Sequence, residues 1–172
     1  MSGGEELTTT PLPLVPEDGG RALAGYVGVT NRDCATRAIA IGTRLPYRVV
    51  HDMVDLAGAR RGITNAAEDG PPLIIAAELL KEKLRWEPVE HGPRLTFEDL
   101  PVSKYPRLIV QTQADPTGGH AKFTTEHLTA VVNRAVRDIS SMATARCYAR
   151  LDHQVMIVYA PPADNAEKAP AE

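Results

Sequence analysis

Cys34 stands in the run Asn31-Arg32-Asp33-Cys34-Ala35-Thr36, immediately before a stretch whose pattern predicts a helix. A cysteine attacks as its thiolate, and the first turn of a helix favours the thiolate because unpaired backbone N–H groups and the positive end of the dipole face the sulfur. The same N–H groups, that of Cys34 among them, would also face an oxyanion formed when the sulfur attacks a carbonyl. Read alone, Cys34 is equally legible as a small buried apolar residue, the commoner fate of a cysteine. A nucleophile also needs a base and a group that orients it. The segment His127-Leu128-Thr129-Ala130-Val131-Val132-Asn133-Arg134-Ala135-Val136-Arg137-Asp138 offers both. A hairpin turning at Asn133-Arg134 pairs Val132 with Ala135, sets Asp138 opposite Thr129 and residue 140 opposite His127, and leaves His127 and Asp138 as diagonal neighbours on one face. Such neighbours are roughly 7–8 Å apart in backbone terms, which an imidazole and a carboxylate can close by hydrogen bonding.

These residues need elements to hold them. A first helix is expected to open at or just before Cys34, with Asn31 or Asp33 as N-cap and Gly42 near its end. Leu45-Pro46 starts a second helix, in which Val49, Val50, Met53, Val54 and Ala57 form one buried stripe while His51 and Asp52 point away. A third helix is predicted from about Leu73 to Leu84, followed by Trp86 as a core anchor. The second half reads as strands over 86–90, 107–112, 126–133, 135–139, 146–151 and 154–159, the last four able to form an antiparallel meander. Helices followed by strands make an α+β fold, with N-terminal helices packed on a C-terminal antiparallel sheet. Residues 1–20 and 161–172 are rich in Pro, Gly, Ala, Thr and charge and are expected to be disordered tails around a single domain over 21–160. The polar, Gly-rich run 113–126 is legible as a lid or as an ordinary loop.

Composition narrows the partners. The 172 residues carry a formal net charge of −3 with scattered basic side chains, so no positive stripe is available for a phosphate backbone and no nucleic-acid partner is expected. Apolar runs are too short to span a membrane and the N-terminal segment lacks a basic-then-apolar signal pattern, which predicts a cytoplasmic product and no membrane partner. Two cysteines without a Cys-x-x-Cys pair predict neither a disulfide framework nor a structural zinc site, and Cys147 in an inferred strand reads as a buried thiol. His51, His91 and His153 lack ligand-like spacing, so no metal is expected, and His120 reads as a solvated loop residue. Gly19, Gly20, Gly25 and Gly28 form no phosphate loop, so no cofactor is expected, and Trp86, Tyr105 and Tyr148 read as core and rim positions.

The block NRDCATRAIAIGTRLPYRVVHDMV resembles the opening of a group of small bacterial and bacteriophage proteins, and HLTAVVNRAVRD with RCYARL resembles their hairpin and the strand after it. The similarity spans about residues 26–151, and the order Cys, His, Asp is that of the papain-like cysteine peptidases. The resemblance implies a papain-like fold and a Cys-His-Asp triad with Cys34 as nucleophile, His127 as general base and acid and Asp138 as orienter. It implies a cysteine hydrolase acting on a peptide, isopeptide or thioester bond of a protein or peptide substrate. A phage-encoded chain would have a virion or host protein as partner, in the host cytoplasm or the virion. The alternative is the same scaffold with an idle triad, serving as a binding or virion-associated structural protein. One departure bears on the oxyanion donors. A papain-like enzyme carries an oxyanion-donating Gln shortly before its Cys, where this chain has Gly28, and Asn31 is legible either as a substitute oxyanion donor or as a plain helix cap.

Overall fold

The computed structural model describes residues 12–27, 32–114, 126–138 and 153–163, without the side chains of 91–94, 113, 114, 153 and 154. These residues form an α+β fold. Strand β1 (Leu14–Val15) is followed by helices α1 (Cys34–Thr43), α2 (Tyr47–Ala59), α3 (Ala66–Asp69) and α4 (Leu73–Glu78), the last running into a wide turn over Leu79–Lys83. Strands β2 (Glu87–Leu95), β3 (Arg107–Ala114), β4 (Glu126–Val132), β5 (Ala135–Arg137) and β6 (His153–Ala160) complete a sheet of order β1-β5-β4-β3-β6-β2.

The sheet separates two cores. Against one face, α1, α2, α4 and the wide turn after it bury Ile39, Tyr47, Val50, Val54, Ile75 and Leu80 on Ile109, Leu128 and Tyr159, with Trp86 at 4% exposure as the expected anchor. The other face gathers Leu108, Val110, Val131, Val136, Val155 and Val158 under Phe97 and Leu100. Alternation along β3 produces the division: Leu108 and Val110 face one way and Ile109 the other. Where α1 crosses β3, Gly42 is required by packing, because a Cβ there would stand 2.5 Å from Ile109 Cγ1 and 2.8 Å from its Cδ1.

Three expectations change. The buried stripe of α2 keeps the helical period but is phased from Tyr47: Tyr47, Val50, His51, Val54 and Gly58 are buried, whereas Val49 is 44% exposed. His51 therefore faces inward, its ring 4.5 Å from that of Tyr26 and 6.0 Å from that of Tyr47, because residues up to Tyr26 pack over α2. The final strand does not extend a meander from β5. It enters between β3 and β2, antiparallel to both, an arrangement that aligns Val155 and Val158 with the β3 apolar residues.

The third change concerns the N-terminal tail expected over residues 1–20. Residues 12–20 are part of the fold, since β1 adds to β5 in parallel register, Leu14 opposite Val136 and Val15 opposite Arg137. Composition understated this segment because backbone hydrogen bonding to a sheet edge, rather than apolar content, holds it. Leu12 and Leu14 nevertheless pack on the second core, and Asp18 accepts the N–H groups of Gly20 and Ala22 at 2.9 Å to close the following turn. The strand expected over 146–151 lies outside the described residues.

Candidate active site

Cys34 is the first residue of α1, and Asp33 holds the N-cap position without capping through its side chain. The β4–β5 hairpin supplies the opposite wall. Val132 pairs with Ala135, Val131 with Val136 and Ala130 with Arg137, and one further step sets Thr129 against Asp138. The register is the one counted from the sequence. Asn133 and Arg134 carry φ of 50° and 60°, a two-residue turn with both residues left-handed, which matches the strand twist even though neither is glycine.

In this frame His127 Nε2 and Asp138 Oδ2 are 2.6 Å apart, with Asp138 buried and His127 partly exposed. The imidazole also shares a hydrogen bond with the Cys34 side chain. The Leu128 N–H is directed at the same sulfur. Burial pushes the Cys34 thiol up, but the hydrogen bond and charge of His127, the Leu128 N–H and the Arg37 charge outweigh it and hold the thiol below its ordinary value. Burial pushes His127 down, yet its bonds to Asp138 and Cys34 win and raise it to about 10. Both shifts favour a thiolate–imidazolium pair at neutral pH. Cys34 is a half-buried thiol outside any disulfide.

Behind the pair lies a buried ionic chain. Asp33 Oδ2 accepts from Arg21 Nε at 2.9 Å and from the Tyr47 hydroxyl at 2.8 Å, while its Oδ1 pairs with Arg37 Nη1. Burial and the neighbouring Asp33 carboxylate push the Tyr47 hydroxyl well above its usual value. Arg37 also brings Nη2 to 3.6 Å from Asp138 Oδ1, and Arg21, Asp33, Arg37 and Asp138 are each under 10% exposed. The backbone of Asp138 is held by the N-terminal segment, its N–H donating to Val15 O and its carbonyl accepting from Glu17 N, both at 3.2 Å.

The geometry thus brings together Cys34, His127 and Asp138. Asn31, Gly28, His120, Cys147 and Tyr148 lie outside the described residues. His51 is in another cluster, its Nε2 3.4 Å from Glu68 Oε1, and among the described residues no group of His, Cys, Asp and Glu is arranged to hold a metal. Among those residues, too, no helix is long and apolar enough to cross a membrane. Sequence reasoning missed Arg21, Arg37 and Tyr47; of Asn31 and Asp33, its two N-cap candidates, Asp33 holds the position but commits its side chain to these three residues. Asp33 and Arg37 do stand at the i, i+4 spacing of a helix ion pair, but such pairs are ordinarily solvent-facing, and only tertiary packing buries this one. No family model, curated protein or solved structure matches the chain.

Proposed function

We propose that this protein is a papain-like cysteine hydrolase that cleaves an amide, isopeptide or thioester bond in a protein or peptide substrate. The observation that carries the reading is the continuous hydrogen-bonded series Cys34–His127–Asp138, with its sulfur at a helix N-terminus. The Cys34 thiolate adds to the substrate carbonyl carbon, and the electron pair moves onto oxygen, faced by the N–H groups of the first turn of α1. The oxyanion collapses, the bond to the leaving group breaks, and His127 delivers its proton to that group, leaving a thioester on Cys34. Neutral His127 then takes a proton from water as the water adds to the thioester. Collapse of that second intermediate frees the carboxylic acid and restores thiolate and imidazolium. Asp138 keeps Nε2 engaged, so that Nδ1 is the nitrogen presented to sulfur and to the leaving group.

Alkylation tests the reading without a known substrate. Iodoacetamide at neutral pH should modify Cys34 much faster than Cys147, as read by mass spectrometry of partly labelled protein, because only a pre-formed thiolate reacts at that pH. Replacing His127 by Ala should slow Cys34 to the rate of an ordinary thiol. Equally slow labelling of both cysteines in the wild type would sink the hydrolase reading and leave the idle scaffold in its place.

A further inference from the structure

Helix α1 carries Arg37 as well as Cys34, and the two stand three residues apart on one helical face. The β4–β5 hairpin carries His127 and Asp138. Beside their apolar packing, helix and hairpin therefore meet through two pairs of polar side chains among the described residues: Cys34 on His127, and the Arg37 guanidinium on Asp138 at 3.6 Å. Arg37 is 2% exposed, and its other terminal nitrogen pairs with Asp33 one turn earlier, which in turn takes hydrogen bonds from Arg21 and Tyr47. A buried cation without counter-charge costs several kcal/mol, so a sequence that spends two arginines here must be balanced, and two aspartates balance them. The framework Arg21, Asp33, Arg37 and Asp138 is neutral before Cys34 and His127 are counted. Exchange of a proton between sulfur and imidazole then changes no net charge in the interior.

We propose that Arg37 is a positioning residue, which clamps Asp138 to the helix that bears the nucleophile and so holds His127 in line with Cys34, with Asp33 as its fixed counter-ion. The proposal rests on the hydrolase reading above and adds to it a residue that touches neither sulfur nor imidazole in a hydrogen bond. Arginine suits the task because its planar fork can engage two carboxylates from one side chain, whereas the lysine ammonium is a point charge that serves one of them well. Among the described residues, the charged groups acting on Cys34 are His127 from the hairpin and Arg37 from its own helix, with Asp138 behind both and Asp33 and Arg21 behind Arg37.

The test is the pH profile of Cys34 alkylation by iodoacetamide in the full chain, with Cys147 as internal reference and near-UV circular dichroism as the check on folding. Arg37→Met removes charge and fork with little change in length. It should move the Cys34 midpoint to higher pH and slow labelling at pH 6 by about tenfold or more, the effect of one pH unit on a thiolate fraction. Arg37→Lys keeps the positive charge near Cys34 and loses the fork, so a midpoint still above that of the wild type marks the clamp, whereas full recovery marks a direct charge effect and overturns it. A folded Arg37→Met protein with the wild-type profile would overturn the proposal. If Arg37→Met fails to fold, Arg37→Lys decides: a shifted midpoint supports the clamp, and a wild-type midpoint overturns it. The hydrolase reading fails separately, since that failure appears in the wild type as a Cys34 no more reactive than Cys147.

Discussion

Replacing Gly42 by Ala sets helix propensity against packing, and the two predict opposite signs. Inside an exposed helix the change would stabilise by about 1 kcal/mol, because glycine has more backbone freedom to lose. Here the new methyl group would sit 2.5 Å from Ile109 Cγ1, 2.8 Å from Cδ1 and 3.4 Å from a ring carbon of Trp86. Ordinary carbon–carbon contact is about 3.5–4.0 Å, so the shortfall against Ile109 is about 1 Å. Ile109 cannot yield that distance easily. It is fully buried on β3, which is paired on both sides, by β4 and by β6. Overpacking of this kind costs about 1–3 kcal/mol, and with so little room to relax the upper half of that range applies. After the propensity gain is subtracted, a net loss of about 1–2 kcal/mol remains, or a fall in Tm of roughly 2–8 °C for a chain of this size. The strain also has a functional reading: α1 relieves it by moving away from the sheet, and α1 begins at Cys34. Displacing a reacting atom by about 1 Å can cost about a hundredfold, so Cys34 alkylation near neutral pH should slow along with the loss of stability. Differential scanning calorimetry and timed iodoacetamide labelling check the two arms. In the double variant Gly42→Ala/Ile109→Ala the cost should be smaller than the sum of the single costs, because truncating Ile109 vacates the space. A Tm that rises in Gly42→Ala, with labelling unchanged, would refute the close packing of α1 on β3.

Deleting residues 1–20 should lower Tm and slow Cys34 labelling together, because the deletion removes β1, the Glu17–Arg137 ion pair and both backbone partners of Asp138. The two lost backbone hydrogen bonds alone account for about 2 kcal/mol, and an unchanged Tm would show that the segment contributes nothing to the fold. The raised His127 value makes a pH prediction whose sign is fixed. A histidine raised in the folded state contributes stability that is complete below its unfolded value of 6.5 and is lost as pH climbs through about 10. The difference in unfolding free energy between wild type and His127→Gln, measured by urea titration, should therefore be larger at pH 6 than at pH 10.5. A difference that grows with pH would mean that His127 is neutral in the folded protein.

The local parts of the site could be read along the chain because they depend on neighbours in sequence. The helix opening at Cys34 follows from its periodicity and from Asp33 before it, and the hairpin register follows from alternation on either side of Asn133-Arg134. Together these place His127 diagonally from Asp138, and the 2.6 Å bond between them is a consequence of counting residues. Trp86 as a core anchor and the α+β order of elements were legible in the same way. Tertiary structure alone decided which edges those elements would share. Nothing in Leu14–Val15 announces a parallel partner in β5, and nothing in 153–160 distinguishes the end of a meander from a place between β3 and β2, because backbone hydrogen bonds are the same whichever strand supplies them. The phase of α2 followed from what covers it: the packing of Tyr26 turned His51 from an outward polar residue into a buried one. The ionic chain behind the site belongs to the same category. Arg21, Asp33, Arg37 and Asp138 are ordinary surface residue types spread over more than a hundred positions, from 21 to 138. Their burial is tolerable only when all four converge, since each charge offsets the desolvation of the next, and that convergence is a property of the folded chain.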